Sequence, residues 1–248
     1  MALTADQIKN LPTMPESTKA VAGKDTLLYI ALDSTPTWIL LGGQRNNPLE
    51  RKAESIDASH KTSGDYGEKL AGLLSWTISY DGLYVLNDEA VAILENRFAA
   101  RKPVFIRQEY PDGSYRTGWA AVTAFNEDHS HSGVSTLKVT FEGKGPISDV
   151  QVLSGTPALS AATSTVASKA AITDVTITIT PADANIRSVI MPDGTKLAYG
   201  TDYTYVGGKL TLLKAGALAS SVKVGDNIIH IKITADTDLL YTLKVTAA

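Results

Sequence analysis

The sequence contains no cysteine, which excludes disulfide bonds, zinc–thiolate sites and cysteine nucleophiles. It also has no run approaching about 18 consecutive apolar residues, so no membrane-spanning helix is predicted. Its first residues lack a basic segment followed by an apolar one, so no signal peptide is predicted. With 23 basic and 26 acidic residues, it lacks the cationic excess that general nucleic-acid binding requires.

The composition that remains is that of a folded protein with two unlike parts. The chain has 248 residues, of which 44% are hydrophobic and 20% charged, as in ordinary globular proteins. Residues 1–150 carry 15 Lys and Arg against 19 Asp and Glu, whereas residues 151–248 carry 8 Lys and Arg, 7 Asp and no Glu. This break predicts one domain over residues 1–150, a linker over 151–160 and a second domain over 161–248.

The first part is predicted to be mainly β-structure. Strands are indicated at Lys24–Leu32 and Thr37–Leu41, separated by the turn sequence "DSTP". The stretch "GLLSWTISY" alternates apolar and polar residues and indicates a half-buried strand. A hairpin is predicted around "PDG", and a further strand covers "STLKVTFEG".

One amphipathic helix is predicted in "NDEAVAILENRFAARKP". Asn87 or Asp88 can cap its first turn, and Pro103 disfavours its continuation. A narrow apolar stripe on this helix, formed by Ala90, Val91, Leu94 and Phe98, favours packing against one face of a sheet.

The segment Gln44–Lys69 shows almost no apolar periodicity, although predicted strands flank it. It is therefore predicted to be a long polar loop. A loop of this length inside a compact domain is expected either to have a function or to be disordered.

The second part follows small, polar residues and contains short strand patterns with turn signals between them, which is typical of a β-sandwich. No catalytic constellation, metal site or cofactor site is predicted. His129 and His131 could face a metal together, but no third ligand is identifiable and a solvated loop is favoured. Trp38, Trp76 and Trp119 lie in strand patterns, which favours core or interface positions over a sugar-binding platform.

The stretches "GKDTLLYIAL", "WILLGGQRNNPLERKAESIDASHKTSGDYGEKLAGLLSWTISYDGLYV" and "TLKVTFEGKGPI" resemble the major tail proteins of long-tailed phages, in the TP901-1-like group. The resemblance covers about residues 20–150. It implies the tail-tube fold of two packed antiparallel sheets with a flanking helix, in a subunit that forms stacked hexameric rings. It also implies a virion tail location, with assembly in the host cytoplasm.

The resemblance implies that the long loop contacts a neighbouring subunit. The expected contact residues are Arg45, Asn46, Asn47, Arg51, Lys52, Glu54, Asp57, His60 and Lys61. It also implies a lumen through which DNA passes and which holds a tape-measure protein, without specific binding of either. The expected lumen residues, taken from the polar faces of the strands, are Ser75, Thr77, Ser79, Glu109, Thr140 and Glu142. Arg107 and Lys138 share these faces and would partly offset the acids.

Residues 161–248 resemble the immunoglobulin-like X2 module of bacterial cellulases and surface proteins, through "GTDYTYVGGKLTL" and "VGDNIIHIKI". Such a domain would decorate the outside of the tube, with a host-surface glycan as a candidate ligand. The alternative functional interpretation is a secreted or surface-associated binding protein that uses this sandwich for carbohydrate or surface attachment. A tube protein of a contractile secretion system is a related structural alternative.

Overall fold

The computed structural model of the chain describes residues 23–32, 37–166 and 168–247, so the turn predicted at residues 33–36 lies outside them. Eight strands form the first sheet, which has the order β2-β1-β6-β7-β8-β5-β3, with β4 pairing along β5. They are β1 (Leu27–Ala31), β2 (Trp38–Leu40), β3 (Gln44–Asn46), β4 (Leu49–Asp57), β5 (Lys69–Leu83), β6 (Val104–Glu109), β7 (Tyr115–Asp128) and β8 (Thr136–Ile147). All their pairings are antiparallel.

The two edges of this sheet lie close together. β2 forms one edge and β3 the other, and only residues 41–43 separate them along the chain. Three residues are too few to place the two edges far apart. The Gln44 side chain crosses the gap, because its Oε1 accepts from the Leu28 backbone N–H at 2.8 Å and its Nε2 donates to the Leu28 carbonyl at 2.8 Å. One continuous sheet thus folds over on itself, and its two halves form two walls around one core.

The core between these walls is completed by the predicted helix, α1 (Glu89–Ala99). Asp88 caps it, since its side chain accepts hydrogen bonds from the Ala90 and Val91 backbone N–H groups. Ala90, Val91 and Leu94 are buried, whereas Phe98 is 41% exposed and stacks on Phe125 instead. The residues buried in this core are Leu28, Ile30, Ile39, Leu41, Trp76, Ile78, Tyr80, Ala90, Val91, Leu94, Val104, Ile106, Ala120, Leu137, Val139 and Phe141.

About half of the segment predicted as a long loop is strand. β3 and β4 occupy much of it, and β4 pairs with β5 from Leu49 opposite Ile78 to Asp57 opposite Lys69. Only residues 58–68 connect the two strands. We call residues 49–75, the part of this hairpin that extends beyond the core, the arm. The prediction of a loop over Gln44–Lys69 is therefore wrong for the residues that form β3 and β4.

The second part of the chain is a β-sandwich. One sheet has the order β10-β16-β15-β12 and the other β13-β14-β11-β9. Buried residues of both sheets, among them Ile177, Leu210, Ile231 and Leu243, share one core. The strands are β9 (Ala158–Leu159), β10 (Thr163–Val166), β11 (Val175–Thr180), β12 (Ser188–Ile190), β13 (Tyr203–Val206), β14 (Lys209–Leu212), β15 (Gly225–Lys232) and β16 (Asp238–Val245), with helical turns at Lys214–Leu218 and Ala219–Ser221.

The predicted linker is held against both parts. Gln151 pairs with Tyr115 of the first sheet, and their backbone N–H groups and carbonyls exchange two hydrogen bonds of 2.8 Å. Ser154 donates through Oγ to Asp183 of the sandwich at 2.9 Å, and Leu153 packs on the sandwich core. Among the described residues, no helix is long and apolar enough to cross a membrane.

Candidate assembly surfaces

The arm carries exposed apolar side chains, which we call its apolar stripe. Leu74 is two residues from the buried Trp76 and lies on the same face of β5. A β-bulge shifts the register of β4 and β5 before Leu70, so Leu70 and Ile56, which stand directly opposite each other, lie on the other face of the hairpin. Ile56, Leu70 and Leu74 are 49%, 60% and 83% exposed. Exposed apolar side chains grouped on one hairpin are a candidate binding surface for another protein chain.

A groove at the base of the arm extends this surface. It encloses about 910 Å³ and is lined by residues from β4, β5 and β8, including Leu74, Trp76 and Pro146. Trp76 lies flat against β8 because Gly143 has no Cβ, and its indole N–H donates to the Gly145 carbonyl at 2.8 Å. The groove thus places Leu74 of the stripe beside an aromatic side chain that is fixed in position.

Most of the predicted contact residues lie on the arm or beside it. Arg45 and Asn46 are exposed on β3; Arg51, Lys52, Glu54 and Asp57 are exposed on β4; His60 and Lys61 are exposed in the connection. Asp57 accepts from the Lys69 ammonium at 2.6 Å. That contact, with further hydrogen bonds from Ser59, lowers the pKa of Asp57 to about 2. The arm therefore has a charged, solvated rim around its apolar stripe.

Asn47 is the exception among these residues. Its side-chain nitrogen donates to the Thr26 carbonyl at 3.0 Å and to Gln44 Oε1 at 2.9 Å. Its carbonyl accepts from the Gln108 side chain at 2.8 Å. Asn47 is only 9% exposed, so it stabilises the approach of the two sheet edges and is not a surface contact residue.

Five of the six predicted lumen residues lie together on the polar face of β5 and β8. The register places Thr77 opposite Glu142 and Ser79 opposite Thr140, and Ser75 continues the same face of β5. Asp81 opposite Lys138 adds a third row. This face points away from the core that contains α1. We call it the polar wall; among the charged residues of its three paired rows, two carboxylates stand against one ammonium group.

Glu109, the sixth predicted lumen residue, is in a different place and is 1% exposed. Its carboxylate accepts from Arg107 at 3.0 Å and from Arg187 of the sandwich at 3.2 Å. Burial raises the pKa of Glu109, and the two guanidinium groups oppose that rise. The prediction that Glu109 lines a lumen is therefore wrong: Glu109 joins the first sheet to the sandwich.

The side chains of the "DHSH" stretch make local contacts. His129 bonds through Nδ1 to Ser135 at 2.9 Å and through Nε2 to Glu127 at 3.1 Å. Within residues 23–32, 37–166 and 168–247, no group of three or more His, Cys, Asp or Glu side chains could hold a metal ion.

The sequence model of the phage tail tube protein family matches residues 20–149. The chain belongs to this family. As a phage tail tube protein it is a structural protein of the virion, located in the tail, and its family is not an enzyme family. The family match ends before the sandwich, so the immunoglobulin-like resemblance of residues 161–248 stays a prediction, as does the TP901-1-like group.

Several solved structures resemble part of this tail tube protein. A subunit from the tail of an empty gene transfer agent particle, refined helically with C6 symmetry, is 24% identical with a TM-score of 0.48; the alignment covers 52% of this chain and 98% of that chain. A subunit from the virion of the native gene transfer agent is 23% identical with a TM-score of 0.47, and the alignment covers 54% of this chain and 100% of that chain. The SPP1 tail tube is 12% identical with a TM-score of 0.45, and the alignment covers 51% of this chain and 77% of that chain. No curated protein matches the sequence significantly.

Sequence reasoning missed the apolar stripe of the arm. Its signal is the group of leucines in "KLAGLLSW", immediately before the regularly alternating part of β5. The flanking charged residues of β4 hide this pattern, because both faces of that strand are exposed.

Proposed function

We propose that this tail tube protein assembles into hexameric rings that stack into a tube, with the arm of each subunit docked on a neighbouring subunit or ring. The apolar stripe of Ile56, Leu70 and Leu74 carries this proposal. Its three side chains are 49%, 60% and 83% exposed in the single chain, and only Leu74 lies on the core-facing side of β5. A second copy of the chain is the proposed occupant, since a head-to-tail contact of this kind generates closed rings and stacked repeats.

The lumen of this tube conducts DNA during infection and holds a tape-measure protein, with neither bound specifically. The polar wall of β5 and β8 is the proposed lumen surface. Its support is chemical: hydroxyl groups, two carboxylates and one ammonium group among its paired rows give little attraction for phosphate, so DNA would not be retained.

The sandwich of residues 161–248 decorates the outside of the tube, joined through residues 151–160 to the tube domain of residues 1–150. Its contact with the tube domain runs through Glu109 and Arg187, on the wall of β1 and β6, whereas the polar wall belongs to β5 and β8. Because the folded sheet has its core between these walls, their outer faces point in different directions. A lumen on the side of the polar wall therefore leaves the sandwich on the outside of the tube. A host-surface glycan is its proposed ligand there.

Electron microscopy of the purified full chain tests the assembly. The double variant Leu70→Asp/Leu74→Asp should remain folded but form neither rings nor tubes, because it places charge on the stripe. The matched control Ile228→Asp/Leu240→Asp changes two sandwich residues that are 48% and 52% exposed and should assemble normally. Normal tubes from the arm variant, or dispersed monomers from the unaltered chain at high concentration, would contradict the proposal.

A further inference from the structure

A crevice between the first sheet and the sandwich contains a cavity of about 440 Å³. That volume lies within the range of roughly 300–1,000 Å³ common for small-molecule sites. Both parts of the chain contribute to its lining, notably Trp38, Phe105, Arg107 and Tyr115 from the first part and Asn185 and Tyr205 from the sandwich.

An aromatic row leads out of this cavity across four strands. The Phe105 ring centroid lies 5.4 Å from that of Trp38 and 5.0 Å from that of Trp119. The register explains the row, because Trp38 pairs with the small Ala31 and Phe105 pairs with Trp119. Trp119 is 51% exposed. The row therefore forms a continuous apolar platform from the cavity to the surface.

Two buried donors of residues that line the cavity have no hydrogen-bond partner among the residues that the structure describes: Arg107 Nε and Asn185 Nδ2. These residues are 2% and 3% exposed. An unpaired buried donor is costly to a folded protein, so such groups call for an explanation.

Neither donor can turn away to find a partner. Arg107 donates through Nη1 to the Asp183 carbonyl and through Nη2 to Glu109, both at 3.0 Å, and its guanidinium carbon lies 3.7 Å from the centroid of the Tyr115 ring. Asn185 Oδ1 accepts from the Ile186 backbone N–H at 3.0 Å. The two side chains are thus fixed in position with one unpaired N–H-bearing nitrogen each.

We propose that this crevice binds a pyranose sugar of a surface glycan. The sugar's hydroxyl oxygens accept from Arg107 Nε and Asn185 Nδ2, and its C–H face packs on the aromatic rings. Further sugar units of the same glycan extend along Phe105 to Trp119. This inference deepens the proposed glycan contact and rests on it for the ligand class, but it places the site between the two parts of the chain rather than on the sandwich alone.

Ligand-observed saturation-transfer NMR on the full chain tests this site with the methyl glycosides of glucose, galactose, N-acetylglucosamine and rhamnose. At least one should give a saturation-transfer signal, and in spectra of the ¹⁵N-labelled chain it should shift the resonances of Arg107 Nε–H and the Asn185 side-chain amide. Asn185→Ala should weaken that binding about tenfold, as expected for one lost hydrogen bond. The matched control Asn126→Ala, at an exposed residue outside the cavity lining, should bind as the unaltered chain does.

Phe105→Leu provides a second variant that does not alter either donor, and it too should weaken binding. The site is refuted if no methyl glycoside binds, or if a bound one is unaffected by both variants. Binding of adenosine with no binding of any sugar would also overturn it, since stacking alone would then explain the crevice. The Leu70→Asp/Leu74→Asp variant separates this inference from assembly: it should lose tubes and keep sugar binding.

Discussion

At the scale of single residues, Glu109 has the most consequential environment in the molecule. Its carboxylate is buried between Arg107, two positions away on the same strand, and Arg187, which is 78 residues away. Arg187 also donates to the Tyr110 carbonyl at 2.8 Å. The neighbouring Tyr29 hydroxyl is fully buried, and burial with the Glu109 charge raises its pKa well above the ordinary value. The junction between the two parts of the chain is therefore a desolvated ion network.

Arg187→Ala should lower the free energy of unfolding by about 3–5 kcal/mol, because it leaves a buried carboxylate short of one cation. Urea denaturation measures this effect. Lys52→Ala is the control, since its ion pair with Glu50 has side chains that are 74% and 61% exposed and contributes little. Equal stability of the two variants would contradict the assigned role of Arg187.

The loss caused by Arg187→Ala should depend on pH. Burial already raises the pKa of Glu109, and removal of a cation raises it further. A carboxyl group with a raised folded-state pKa loses stability as the pH rises through that pKa. The destabilisation should therefore be largest near neutral pH and smaller at about pH 4, where an ordinary glutamate is substantially protonated. A loss that is constant across this range would show that Glu109 does not titrate with the network.

At the scale of elements, the arm is a hairpin whose strands, β4 and β5, are joined by residues 58–68. Ser55 pairs with Ala71, one step before Ile56 pairs with Leu70. The distal part can therefore be removed at a matched register without disturbing Asn47 or the core.

Replacing residues 56–70 with Asn-Gly, a sequence suited to a two-residue hairpin turn, should leave a folded chain that forms no tubes. The removed residues contribute exposed surface and the outer half of the stripe. The matched control replaces residues 129–135 with Asn-Gly between Asp128 and Thr136, which also pair directly. Circular dichroism checks folding and electron microscopy checks assembly; tubes from the arm deletion would show that the distal arm is dispensable.

How far the sequence could predict these elements depends on how local their signals are. The helix was predictable because Asp88, its apolar stripe and Pro103 all lie within one segment. The arm was not, because β4 is exposed on both faces and its apolar period is lost. For Glu109, the alternation of side chains along β6 predicted the face of the strand on which it lies. The residue that covers that face, Arg187, is distant in the chain. The periodicity of the sequence therefore could not predict that the sandwich covers Glu109.

At the scale of the whole molecule, the folded sheet separates two outer surfaces. One wall carries the sandwich and its ion network, and the other is the polar wall. Five of the predicted lumen residues share the polar wall, because their strands alternate regularly, and their position in a lumen stays a prediction. The proposal that the polar wall surrounds DNA depends on the sign of the charge that the wall carries.

Thr77→Lys/Glu142→Lys should convert the polar wall to a cationic surface. Tubes of this variant should retain DNA, and retention should fall steeply with salt, because each phosphate contact releases counterions. Ala92→Lys/Glu95→Lys on the exposed face of α1 adds the same charge away from the proposed lumen. Filtration of assembled tubes with labelled DNA across a salt series measures both. Equal retention by the two variants would place the polar wall outside the lumen.

The length of β5 has a mechanical consequence. Its 15 residues extend about 50 Å at the usual rise of a strand, and they run without interruption from the arm into the core. A pull on the distal end of the arm, as when a tube bends, travels along this single backbone to the seven residues from Thr77 to Leu83 that pair with β8. Those bonds lie across the direction of pull, so they are loaded in shear and share the force instead of opening one at a time. The strand that presents the contact surface therefore also transmits tensile force to the hydrophobic core of the first sheet.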